Sequence, residues 1–214
     1  MRRYWWLIPV LLLALWLAAD FTLPSHSSLI QFDGHAVGRL EADMWRSYYE
    51  HHSVRLFGQL IELLRQQYHV PFWRSVLGAY YAAHAAIVFQ RGTNRGEYER
   101  ALPDLVRYYA LIRRQSDVAF PVEQTARLEL EWWIIHRQRN LHPPGDLEQS
   151  LAVLQAEIYQ KPADRFTIHA QKRAEAMLLR DQHAETGGVS EADWWHIAEL
   201  LDTSWSSLQT AVAH

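Results

Sequence analysis

The 214-residue chain contains no cysteine. That excludes a disulfide framework, a thiolate nucleophile, an iron–sulfur cluster and a c-type haem attachment. Glycine and proline number only 9 and 8, too few for a turn-rich β-sandwich or a collagenous chain. Lysine is confined to Lys161 and Lys172, so arginine carries nearly all the positive charge. Catalytic signatures are missing as well: there is no G-x-S-x-G, P-loop, G-x-G-x-x-G, H-E-x-x-H or EF-hand loop. A carboxylate-bridged di-iron bundle needs Glu-x-x-His on two helices, and that motif does not occur. Its nearest match runs from Asp193 to His196, where Asp193 is better placed as a helix cap.

What is present is apolar and aromatic. Hydrophobic residues make up 49% and charged ones 21%, with ten tryptophans and ten tyrosines. Such a chain can bury a sizeable core and is not globally disordered. Its length suits one domain. The whole chain carries a net charge of −3. An acidic balance without a basic stripe argues against a nucleic-acid partner.

The longest apolar run, Tyr4 to Ala19, follows Arg2 and Arg3 and ends at Asp20. Sixteen helical residues rise about 24 Å, short of the roughly 30 Å hydrocarbon core of a bilayer. Snorkelling and bilayer thinning can cover such a deficit. Two readings stand: a cleaved signal peptide or an uncleaved anchor. A cut after Ala19 would put Leu17 where a small residue is expected, and Trp5, Trp6 and Trp16 suit a membrane interface. The expectation is a signal anchor over residues 1–19, a linker over 20–34, and an extracytoplasmic helical domain over 35–214. The paired arginines would keep the N-terminus cytoplasmic, in a single-pass cell-membrane arrangement with the domain periplasmic or extracellular.

Beyond the linker the pattern is helical throughout, over residues 35–69, 71–91, 97–115, 121–139, 146–160, 163–185 and 191–213. No interval alternates as a half-buried strand would. Pro71 and Pro121 fit first helical turns. Asn94–Gly96 and His142–Gly145 are breakers, Pro103 implies a kink or break, and Ser190 with Asp193 reads as a capping box. Short connections favour antiparallel neighbours, hence an up-down bundle or stacked hairpins of about seven helices. Leu77, Gly78 and Tyr81, with Gly96, Tyr98 and Ala101, resemble the two helices of a tetratricopeptide repeat. They lie about eleven residues too far apart for that repeat and no second copy follows, so the resemblance bears on architecture alone.

Candidate chemistry lies in polar residues on apolar faces. Trp45, Tyr49, His52, Leu56, Leu60 and Leu63 form one stripe, and Trp73, Leu77, Tyr80, His84 and Val88 another. On the fourth segment Val122, Ala126, Glu129, Trp133 and His136 share a face. Folding the hairpins at residues 70, 94 and 118 puts His84 level with Asp104 and Trp132. His52, His84, Glu129 and His136 would then share one layer, with Glu41 about 22 Å away. Three histidines and a carboxylate would suit zinc or non-haem iron, and one histidine could bind haem. The alternative is a structural network, with each histidine satisfied locally and Glu129 paired to Arg137 or Arg107.

The doublets Tyr48–Tyr49, Tyr80–Tyr81, Tyr108–Tyr109, Trp132–Trp133 and Trp194–Trp195 cannot each present both rings to a narrow seam. One of each should meet a second layer or a partner. For Trp132–Trp133 a second layer built by the last three segments is expected. Three functions follow as expectations. One is a membrane-tethered interaction or assembly module for an envelope protein. Another is a metal- or haem-binding bundle, possibly an oxidoreductase. The third is a sensor or small-ligand cup lined by tyrosines.

Overall fold

The computed structural model describes residues 5–23, 25 and 28–213. The basic start, Arg2 and Arg3, lies outside them, as does Tyr4. Every regular element among the described residues is helical: α1 (Leu7–Thr22), α2 (Gly34–Tyr49), α3 (Ser53–Glu62), α4 (Phe72–Arg91), the single turn α5 (Arg95–Tyr98), α6 (Leu102–Arg113), α7 (Val122–Arg137), α8 (Asp146–Tyr159), α9 (Thr167–Thr186) and α10 (Glu191–Ala213). The all-helical expectation holds. Ser190 and Asp193 form the capping box: Asp193 N–H donates to Ser190 Oγ at 3.2 Å and Ser190 N–H to Asp193 Oδ2 at 2.8 Å. Pro103 lies in the first turn of α6, directly after a 3-10 turn over Glu99–Ala101.

The long helix expected over 35–69 is two helices. The chain reverses at residues 50–52, where His51 adopts φ 60°. Histidine enters this left-handed region more readily than most residues, so the turn needs no glycine or proline. The apparent stripe through His52 is therefore an accident of spacing across a turn.

Consecutive long helices pack on one another from α2 round to α10, and α10 returns to pack on α2. The result is a helical bundle closed into a ring. Glycines make the closure possible. A Cβ on Gly34 would sit 2.7 Å from Trp205 O, and one on Gly38 would sit 2.6 Å from Asp202 Cα. The α2 and α10 backbones therefore touch along a seam where no side chain fits. Ala42, one turn on, joins Ala176, Ile197, Leu200 and Leu201 in a small core beside it.

The N-terminal helix stands apart from the ring. Trp5, Trp6 and Trp16 are 72%, 65% and 50% exposed, and no residue of α1 is buried. Only its last turns dock, with Trp16 stacking on Phe72 at 5.4 Å and meeting Trp73 at 5.2 Å. Asp20 then caps α4 from outside, accepting from the N–H of Trp73 at 3.0 Å and of Arg74 at 3.2 Å. Pro71, the residue before α4, offers no side-chain cap, so Asp20 satisfies donors that would otherwise lack partners.

Among the described residues no helix is long and apolar enough to cross a membrane. The transmembrane anchor expected over residues 1–19 is thus not supported: α1 has 16 residues. The stretch read as linker also belongs partly to the domain. Leu29 and Phe32 are 6% and 5% exposed in the main core, and Ser28 Oγ donates to Asp117 at 2.7 Å.

Candidate functional site: a cavity on the ring axis

A ring of helices leaves an axis to be filled. Here the side chains fill it incompletely, and a cavity of about 810 Å³ remains. It is walled by the inward faces of α2, α4, α7 and α9, with α3, α6, α8 and α10 behind and between them. Cross-helix pairs fix the register of three of these walls. Glu41 of α2 meets Arg173 of α9, Arg180 lies over the ring of Tyr49, and His136 of α7 faces Asp181. The three helices therefore run parallel. Arg137 over Phe89 at 5.4 Å is consistent with the same direction for α4.

Parallel helices in register give the cavity two tiers. Glu41, Ala82, Glu129 and Arg173 line the inner tier. Seven residues further along each helix come Tyr48, Phe89, His136 and Arg180, about 10.5 Å nearer the mouth. The exposed members of the lining (His51, Gln90, Arg137, Ala184 and Glu185) all lie at the C-terminal ends of these four helices. The mouth is there. Small side chains, Ala82, Ala83 and Ala86, provide the space along α4.

The inner tier carries charge in low dielectric. Arg173 donates from Nε and Nη2 to Glu41 Oε1, at 3.1 and 2.6 Å. Trp205 Nε1–H donates to the other oxygen of Glu41. Burial works against the charge of Arg173, but Glu41 and then Glu129 outweigh it and hold its pKa above the usual value. Glu129 accepts from Tyr109 Oη at 2.9 Å and from Trp133 Nε1 at 2.9 Å. Both donors are neutral. Burial first, then the charge of Glu129, keeps the Tyr109 phenol protonated far beyond its ordinary range, so it remains a donor. The tier thus holds two carboxylates against one guanidinium, and no described residue forms an ion pair with Glu129.

The upper tier has the opposite balance. Arg139 pairs with Asp181 at 3.1 Å and with Glu185, and Arg180 Nη1 pairs with Asp181 at 2.9 Å. Among the described residues Arg137 has no carboxylate partner, and it rests on the face of Phe89. Arg180 Nε and Trp132 Nε1 are buried donors without an acceptor among the described residues. Burial, opposed by the charge of Arg180, pushes the Tyr49 phenol up to about 12.

Of the residues singled out in the sequence, the structure brings Glu129 and His136 to this cavity and leaves His52 and His84 outside it. His52 is exposed in the α2–α3 turn, with Nδ1 3.4 Å from Glu50. His84 pairs with Asp104 at 2.6 Å and stacks on Tyr80 at 5.8 Å. It is level with Asp104 as the hairpin register predicts, but on the outer side of the ring. Among the described residues no group of three or more His, Asp or Glu is placed to hold a metal ion. His52, His84, Glu129 and His136 therefore do not converge on one point as a shared zinc or non-haem iron site would require. Nor does Glu129 pair with Arg137 or Arg107; its donors are Tyr109 and Trp133.

Sequence reasoning missed Glu41, Arg173 and Arg180. It set Glu41 about 22 Å off by running one helix through residues 50–52. Arg173 and Arg180, seven apart on α9, were the available signal. Three of the five aromatic doublets also resolve differently, whereas Tyr80 and Trp195 are exposed beside less exposed partners as expected. Both members of Tyr48–Tyr49, Tyr108–Tyr109 and Trp132–Trp133 line the cavity, because an open axis admits neighbours 100° apart where a narrow seam would not. Comparison of the chain with protein-family models, with curated proteins and with solved structures finds no match, so the function is argued from the cavity itself.

Proposed function

We propose that this domain is a small-ligand cup, a receptor or carrier that takes a ligand on the axis of its helical ring. One observation carries the reading: an open cavity of about 810 Å³ holds two carboxylates, Glu41 and Glu129, against one guanidinium, and among the described residues no cation forms an ion pair with Glu129. Ligand sites are mostly apolar cavities of this order with a few fixed polar groups, and two carboxylates sharing one guanidinium in low dielectric favour an occupant that supplies a second cation. The test uses the full chain purified from its natural host and from a strain carrying Ala86→Trp. Denaturing extraction and mass spectrometry should recover a stoichiometric small molecule from the wild type and none from the filled variant, with helical circular dichroism unchanged. Equal recovery from both, or none from either, would refute the cup.

The exposed apolar surface of α1 favours a second, compatible role. A helix this apolar with no buried residue is covered by something other than its own domain. We propose that it tethers the domain to a membrane surface, where the domain assembles with an envelope protein. Deleting residues 5–16 should shift the chain from the membrane to the soluble fraction. An unchanged distribution would remove the support for tethering.

A further inference from the structure

The two tiers of the cavity differ in sign, and the difference specifies a ligand. Resting on the cup reading above, we infer that the occupant is a zwitterion with its ammonium and carboxylate about 10 Å apart, of the class of a short peptide. In the inner tier Glu41 and Glu129 share one guanidinium, and among the described residues Glu129 has no ion pair and is held in place by two neutral donors. A ligand ammonium there would balance the second carboxylate, whereas an anion would face Glu41 and Glu129 together. At the mouth, among the described residues, Arg137 lacks a carboxylate partner and Arg180 Nε is a buried donor lacking an acceptor. A ligand carboxylate satisfies both.

Spacing supplies the length. Glu129 and Arg137 lie eight residues apart on α7, about 12 Å along its axis. An extended tripeptide spans at most about 10 to 11 Å, and its terminal charges reach the two tiers through hydrogen bonds. Trp132, only 9% exposed, carries an indole N–H with no acceptor between these levels. A backbone carbonyl of the ligand is an acceptor of the right kind. The walls suit an apolar or aromatic side chain: three cavity rings, Tyr49, Phe89 and Trp132, already carry guanidinium groups on one face, and much of the remaining lining is apolar.

Titration calorimetry on the full chain tests this with three probes: Ala-Phe-Ala with free termini, its N-acetyl form and its C-terminal amide. The free peptide should bind best. Acetylation should weaken binding to the wild type about tenfold, the size of one lost charge-assisted contact, and should cost nothing further in Glu129→Gln. Amidation should do the same in the wild type and nothing further in Arg137→Gln. The wild-type comparison needs no variant, so a folding defect cannot mask the answer. Capped peptides that bind as well as the free one would overturn the zwitterion while leaving the cup intact. Failure of all three, with a different molecule extracted from host protein, would do the same. Failure of all three with nothing extracted would overturn both.

Discussion

Glu41 and Arg173 set the cost of the inner tier. Their side chains are 6% and 13% exposed, so each leaves a poorly solvated charge if the other is removed. Glu41→Leu or Arg173→Met alone should destabilise the domain by about 3–5 kcal/mol, and the double variant by much less. Equilibrium urea unfolding of the three proteins measures this, and additive losses would show that the two side chains do not act as a pair. His169 gives a pH dependence. Its Nδ1 contacts Ser204 Oγ at 2.8 Å while Nε2 has no partner among the described residues. Burial, then the charge of Arg173, lowers its pKa from 6.5 to about 3. Between those values the unfolded chain binds the proton and the folded one does not, so stability rises with pH. The stability present at neutral pH is therefore lost as pH falls through this window, by a few kcal/mol in full. Melting temperatures from pH 7 to 4 should fall, and His169→Gln should flatten the slope.

At the scale of elements, the ring depends on one seam and α1 on one cap. Gly34 and Gly38 let α2 lie backbone to backbone against α10, and an alanine at Gly38 meets main-chain atoms that cannot swing aside. Gly38→Ala should cost about 1–3 kcal/mol as overpacking does, read as a lower urea midpoint with an unchanged slope. Asp20→Ala should cost about 1 kcal/mol as a lost cap and free α1, seen as faster amide exchange at Trp73 and Arg74. These elements were only partly legible in the sequence. Prolines, the Ser190–Asp193 box and the 3.6-residue stripes mark most helix boundaries because those signals are local. The reversal at residues 50–52 was not legible, since His51 supplies a left-handed turn without a breaker and the apolar stripe happens to continue across it. That one turn moved His52 to the surface and brought Glu41 inward.

For the whole molecule, local pattern cannot distinguish a packed bundle from a ring with an open axis. Both need amphipathic helices with short connections. What separates them is non-local: whether the last helix reaches the first, and how much side-chain volume meets at the axis. Gly34 and Gly38 hint at the first in retrospect, and Ala82, Ala83 and Ala86 at the second. Glu129 and His136 were legible as polar residues on an apolar face, but Tyr109 and Asp181, which they meet, lie on α6 and α9 and follow from the register of the ring. The central claim is that this axis is built to hold a small molecule. A crystal structure of the protein taken directly from its host tests it most directly. The account predicts density for one bound molecule spanning the two tiers, with a cationic group at Glu129. An axis closed by protein side chains, or filled by water alone, would contradict it.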